Sequence, residues 1–195
     1  MRMTAIVLFA ICTVGTVHAR DDSIDMGWGV YGKAGSYSVE DPDGATDSEF
    51  AFLPGAKITF PFSRRGKQFV AGVELINFNL DASESDIGQD VSGYRVWGGY
   101  EHRFNISRHF KFWGGVGLTL DSVSFEDRHT VDEDGFLKAR YEDLDESYSG
   151  VTLYGLSTFD VGRRAGWEPA VGFYIDQPFS DGVSSIGGTF QIIFD

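Results

Sequence analysis

Cysteine is almost missing from this sequence, with Cys12 the only one. No disulfide can form within a single chain, so the fold rests on backbone pairing and burial. Proline is scarce too, at five residues in 195, which leaves long paired strands unobstructed over most of the chain. No apolar run reaches the roughly 20 residues a membrane-crossing helix needs. That leaves strands as the only elements with which this sequence could cross a bilayer. Positive charge is also short: 16 Lys and Arg stand against 29 Asp and Glu, a formal net charge of −13. Phosphate binding relies on clustered Lys and Arg, so nucleic acid is excluded as a partner.

What apolar length there is lies at the start, MRMTAIVLFAICTVGTVHARDD. Arg2, the apolar stretch from Ala5 to Val17, and Val17-His18-Ala19 have the three parts of a secretory signal with a small-residue cleavage site, predicting cleavage after Ala19. Lipoprotein processing at Cys12 is disfavoured by the bulk of Ile11. The expected organisation is a signal peptide over 1–19 and one domain over 20–195.

Glycine and aromatics are abundant, with 25 Gly, 17 Phe and 8 Tyr, a composition suited to pleated strands. Period-2 alternation recurs from Met26 onward and predicts strands at 27–37, 50–62, 68–80, 92–104, 109–125, 148–161, 166–177 and 184–194. Eight is an even number, and each strand has the roughly 9 to 11 residues that cross a bilayer. The connections carry an independent regularity. SVEDPDGATDSE, DASESDIGQDV and EDRHTVDEDGFLKARYEDLDES are long and acidic, and alternate with the short, basic SRRGK, NISR and GRRAG; PFSDGV is short. Short turns on one side and longer loops on the other is the asymmetry of outer-membrane barrels, the short side being periplasmic.

A soluble barrel would hide its aromatic face. Here that face takes Tyr94, Val96, Tyr100 and Phe104, then Phe110, Phe112, Val116, Leu118 and Leu120, and continues through Leu153, Val171, Phe173, Ile186 and Phe190. So much exposed apolar surface is a liability in water and a requirement in lipid. The fold class predicted is all-β, an eight-stranded antiparallel up-and-down transmembrane β-barrel. Its other face then fills a lumen just wide enough for side chains. Lys33, Lys57, Arg95, Glu101, Arg103, Lys111, Asp121, Asp160 and Glu168 fall on it, with Asp176 and, by a less certain phase, Glu74. Buried charges persist when paired, so the expectation is a polar plug of ion pairs in which Glu101 meets Arg103, Lys111 or Arg95. Trp28, Tyr37, Phe62, Phe69, Phe104, Phe110, Phe112 and Trp167, with Tyr148, sit near strand ends and are expected in interfacial aromatic girdles. Pro54 predicts a bulge or the outer rim, because a closed barrel has no edge where a missing N–H is harmless.

The segment YRVWGGYEHRFNISRHFKFWGGVGL is similar in style to the central hairpin of opacity-like porins. With the strand and loop layout, the whole of residues 20–195 resembles the small eight-stranded outer-membrane barrels of the OmpA transmembrane-domain, OmpX and opacity-protein type. The terminal Ile193-Phe194-Asp195 departs from the family's terminal aromatic, because Asp195 follows Phe194. The resemblance implies a bacterial outer-membrane location and a structural, adhesive or slowly leaking role, but no site residues.

Three functions follow as expectations: a monomeric structural or surface-interaction protein working through the loop from Glu126 to Ser147, a narrow passive channel, or a lipid A-modifying enzyme. Such an enzyme needs a His with Ser and an acid in reach at the outer leaflet. His102 and His109 flank a short turn, leaving His129 near Ser122, Ser124 and Glu126, without the His-x-Ser pattern of the deacylases. VDEDG gathers Asp132, Glu133 and Asp134, oxygen ligands for a divalent cation bridging to lipopolysaccharide phosphates. The twelve-residue spacing of an EF-hand is lacking, which favours a solvated, repelling loop. No cofactor is expected, and the expected partners are outer-membrane lipid, lipopolysaccharide and a surface ligand.

Overall fold

The structure is a computed structural model and describes residues 26–40, 46–63, 66–105, 110–159 and 166–194. The signal segment, Asp160, His109, Arg64, Arg65, Arg163 and Arg164 lie outside the described residues. Among the described residues nine strands follow in chain order: β1 (Gly27–Glu40), β2 (Thr46–Ser63), β3 (Lys67–Leu80), β4 (Gly88–Asn105), β5 (Phe110–Val131), β6 (Leu137–Arg140), β7 (Leu144–Phe159), β8 (Trp167–Pro178) and β9 (Gly182–Phe194). All ladders are antiparallel between neighbours, and β1 pairs with β9 from Trp28↔Phe194 to Glu40↔Gly182. With the β4–β5 ladder this closes an eight-stranded barrel, and β6 stands outside it, paired to β5 alone.

Closure follows from the alternation. In β1 the odd residues from Tyr31 to Val39 turn inward and are buried, while Trp28 and Val30 are exposed. Every barrel strand repeats this, so the outer wall presents Phe60, Leu75, Val96, Leu118, Leu120, Leu153, Phe173 and Phe190. No helix among the described residues is long and apolar enough to cross a membrane. A barrel leaves no unpaired edge except where its ladders stop, which is how strands survive without water.

The strands run further than the alternation suggested at the long-loop end. β5 has 22 residues, and its outer end turns through Asp132–Phe136 into β6 to form a hairpin arm. Where the wall gives way to the arm, Asp127 has φ 51° and the β4–β5 register slips between Gly88 and Asp90. This bulge inverts the side-chain phase: Val123 and Phe125 are inward before it, Arg128 and Thr130 after it.

Pro54 corrects an expectation. The β1–β2 ladder passes through Gly32↔Pro54 with no bulge. What ends there is the ladder on the other side: β2–β3 pairing stops at Gly55↔Glu74, one residue short of the proline.

Candidate functional site

β4 serves as a ruler along the lumen. From the hairpin end its inward side chains are Gln89, Val91, Arg95, Trp97, Glu101 and Arg103, and at about 3.4 Å per residue Arg95 and Glu101 lie roughly 20 Å apart along the strand. Each marks a layer with its own chemistry.

The Arg95 layer is a dense ionic knot. Its guanidinium donates Nε to Asp121 Oδ1 at 2.8 Å, Nη2 to Asp121 Oδ2 at 2.7 Å and Nη1 to Asp176 Oδ2 at 2.6 Å. Lys33 stands 2.6 Å from Glu74 and 3.0 Å from Asp176, and Ser185 donates to Asp176 at 2.9 Å. All five charged groups are almost fully buried. Two cations hold three carboxylates, and the bidentate Arg95–Asp121 fork fixes the geometry. Glu74 is therefore a lumen residue at the centre of this layer. Lys57, Lys33, Asp121 and Asp176 also point inward, as their alternation predicts.

Below it is an aromatic floor. Trp97 donates to the Tyr31 hydroxyl at 2.7 Å, and Tyr31 donates to Glu74 at 3.0 Å. Tyr154 packs edge-on against Trp97 and donates to Glu101 at 2.9 Å. Small residues make the room: a Cβ at Gly55 would meet the Tyr31 ring, and one at Gly115 the Tyr154 ring.

Glu101 is completed by Lys57 at 3.0 Å and by the Gln68 side-chain amide. The expected partners Arg103, Lys111 and Arg95 are not the ones it takes. Lys57 reaches it across β3; Gly72, cross-strand neighbour of both Lys57 and Trp97, leaves its side-chain space to the Trp97 ring. Lys111 pairs instead with Glu168 at 2.6 Å, and Arg103 lies over the Trp113 ring. These groups line a cavity of about 260 Å³ open toward the short-turn end, which also reaches Lys57 and Glu101. The buried Arg103 Nε and Trp113 Nε1 have no partner among the described residues, as suits a wet vestibule.

Above Arg95 the lumen is apolar, which corrects the expectation of a wholly polar plug. Val39, Leu53, Ile76, Phe78, Leu80, Val91, Val123, Phe125 and Val183 are all buried there. Tyr37 belongs to this layer, not to an interfacial girdle: it is fully buried and its hydroxyl accepts from Tyr174 at 2.8 Å. Tyr148 is likewise buried. The other girdle candidates sit outward at the short-turn end. Trp28 stacks on Phe194, Phe62 on Phe69, Phe104 tilts against Phe112, Phe110 meets Phe159 edge-on, and Trp167 is exposed.

The hairpin arm is rooted by Arg128, 2% exposed, which donates to Gln89 Oε1 at 3.1 Å and to the Glu142 carbonyl at 3.0 Å and lies over the Tyr141 ring. Sequence reasoning missed Arg128 because the bulge at Asp127 hides its phase. Its tip exposes Phe136 and Leu137. Asp132 spends Oδ1 on the backbone N–H groups of Asp134 and Phe136, so that carboxylate shapes the turn. Glu133 and Asp134 are exposed beside it, and no group of metal-ligating residues occurs among the described residues. His129 Nδ1 lies 2.7 Å from the Asp127 carbonyl oxygen of its own strand.

No family model and no curated protein matches the sequence. Among solved structures the chain is similar to Neisserial surface protein A, at 13% identity and a TM-score of 0.56 over 86% of this chain and 96% of that one. It also aligns with the attachment invasion locus protein of Yersinia pestis, at 13% identity and a TM-score of 0.48 over 87% and 97%. A third is OprG of Pseudomonas aeruginosa, at 13% identity and a TM-score of 0.46 over 84% and 95%. The first of these likenesses, at low identity, bears on fold alone, and it agrees with the ladders: the chain has the fold of the small eight-stranded outer-membrane barrels.

Proposed function

We propose that this barrel sits as a monomer in a bacterial outer membrane, short turns in the periplasm and hairpin outside, and works non-enzymatically as a surface-interaction protein. Lipid and lipopolysaccharide surround the wall, and the arm formed by the end of β5 with β6 meets the ligand. One observation carries the reading: an ordered arm, anchored by the buried Arg128, holds Phe136 and Leu137 at 70% and 60% exposure beyond the end of the barrel. Exposed apolar side chains with charged ones of both signs beside them, here Glu133 and Asp134 before and Lys138 after, are what a protein-binding tip requires. An enzyme reading draws no support from His129, whose ring is turned to its own strand. A channel reading draws none from a vestibule that ends at Glu101 under the aromatic floor.

The test uses cells that overproduce the protein, scored for adherence to protein-coated surfaces. Phe136→Asp with Leu137→Asp is expected to lower adherence several-fold while the protein still fractionates with outer membranes and shifts mobility on unheated gels. Unchanged adherence rejects the arm as the binding element, and a detergent-independent soluble monomer rejects the membrane reading altogether.

A further inference from the structure

The facing halves of β2 and β3 at the hairpin end carry no ladder. β2 stays paired to β1 as far as Glu40↔Thr46, and β3 to β4 as far as Leu80↔Gln89, yet between them pairing ends at Gly55↔Glu74. Pro54 stands at that point, with no N–H to donate. A shallow cleft, open to the outside, lies between the two strands.

Its walls differ in chemistry. Phe50 and Phe52 of β2 line it from the outer wall, at 71% and 63% exposure. Phe78 lines it from β3 and belongs at the same time to the apolar layer of the lumen. The floor of the cleft is thus continuous with the barrel's apolar interior. Asn77 and Asn79 add amide donors and acceptors, and Glu49 and Asp81 put carboxylates at its mouth. Among the described residues no Lys or Arg lines it.

We propose that this cleft is a lateral binding site for a small amphiphile with an apolar body and a neutral or cationic hydrogen-bonding head group. A bare hydrocarbon tail satisfies Phe50, Phe52 and Phe78 but leaves strand edges without hydrogen bonds in a medium that supplies none. The head group meets that need together with Asn77 and Asn79. An anionic head is repelled by Glu49 and Asp81, with no cation in the lining to offset them. The site is independent of the hairpin arm.

The experiment uses the full barrel in bilayer nanodiscs, with amide chemical shifts and hydrogen exchange read, during titration with dodecylamine, dodecanamide or dodecanoate, at those residues of 50–53 and 75–80 whose N–H groups do not bond to β1 or β4. The two non-anionic probes are expected to shift and protect these amides, at concentrations at least tenfold below those dodecanoate needs. Pro54→Val restores a donor beside the last rung, and is expected to protect the same amides without ligand and weaken binding about tenfold. Leu53→Cys with Ile76→Cys, in a Cys12→Ser chain, places thiols where a continued ladder would make residues 53 and 76 partners, at positions that do not line the cleft. Oxidation is expected to abolish binding and reduction to restore it. Equal response to all three probes, response to none, binding undiminished in the oxidised pair, protection in the ligand-free parent of those 75–80 amides that do not bond to β4, or a cross-linked dimer through these cysteines each overturns the proposal.

Discussion

Arg95 shows what a single buried charge does here. It is the one group that touches Asp121, Asp176 and Glu74 together. Removing it leaves Lys33 to balance three desolvated carboxylates. Breaking a buried pair by deleting one partner costs about 3–5 kcal/mol, so Arg95→Met is expected to lower the unfolding free energy read from urea curves by that much. Adding Asp121→Leu removes the carboxylate most dependent on Arg95. The double variant is therefore expected to be more stable than Arg95→Met alone, and a double variant less stable than the single one would refute the pairing account. At Gly115 the limit is space. A valine there drives its Cβ into the Tyr154 ring, and an overpacked site costs about 1–3 kcal/mol. Tyr154→Leu in the same chain is expected to return part of that loss, which separate unfolding curves would read.

Strands and their connections decide which residues the sequence reveals. Alternation alone puts Lys33, Lys57, Arg95, Glu101 and Asp121 inside, because a period of 2 is indifferent to what lies across the barrel. Who pairs with whom is a different matter: Lys57 meets Glu101 through the registers of two ladders, β2–β3 and β3–β4, and neither is written in one strand. Tyr37 could have been placed from its phase, which is that of Lys33, but position near a strand end suggested an interface instead. In VELINFNL the apolar residues fall on both faces, and only the ladder to Arg95 fixes Glu74 inside. Arg128 was hidden because the bulge at Asp127 resets the period. The hairpin beyond that bulge has β6 paired with β5 alone, and it touches the β3–β4 connection where the Val131 N–H donates to the Ser83 carbonyl at 3.3 Å and Lys138 lies 3.7 Å from Glu84. Replacing residues 132–139 with a short Gly-Ser turn is expected to leave barrel stability unchanged within about 0.5 kcal/mol, the range of surface changes. Arg128→Ala, by contrast, strips donors from the buried Gln89 and the Glu142 carbonyl and is expected to cost about 1–3 kcal/mol. Equal losses from the two changes would mean that arm and wall unfold as one unit.

For the whole molecule, closure and filling together decide between anchor and channel. The barrel closes only when β9 returns to β1, with Trp28 stacked on Phe194 where the last rungs meet. What it encloses is four barriers in series: Glu101 with Lys57 and Gln68, the ring floor of Trp97, Tyr31 and Tyr154, the Arg95 knot, and the apolar layer from Leu53 to Phe125. An ion that passed the first two would still face a dry apolar section, where a bare charge is costly. Planar bilayers containing the protein are therefore expected to show no conductance above leak. The serial arrangement makes a stronger demand: Arg95→Ala, or Glu101→Gln with Lys57→Met, must remain silent too, because each removes one barrier and leaves the others standing. A variant altered in one layer that conducts in discrete steps would mean that the lumen is gated at that layer, and the barrel would then have to be read as a channel.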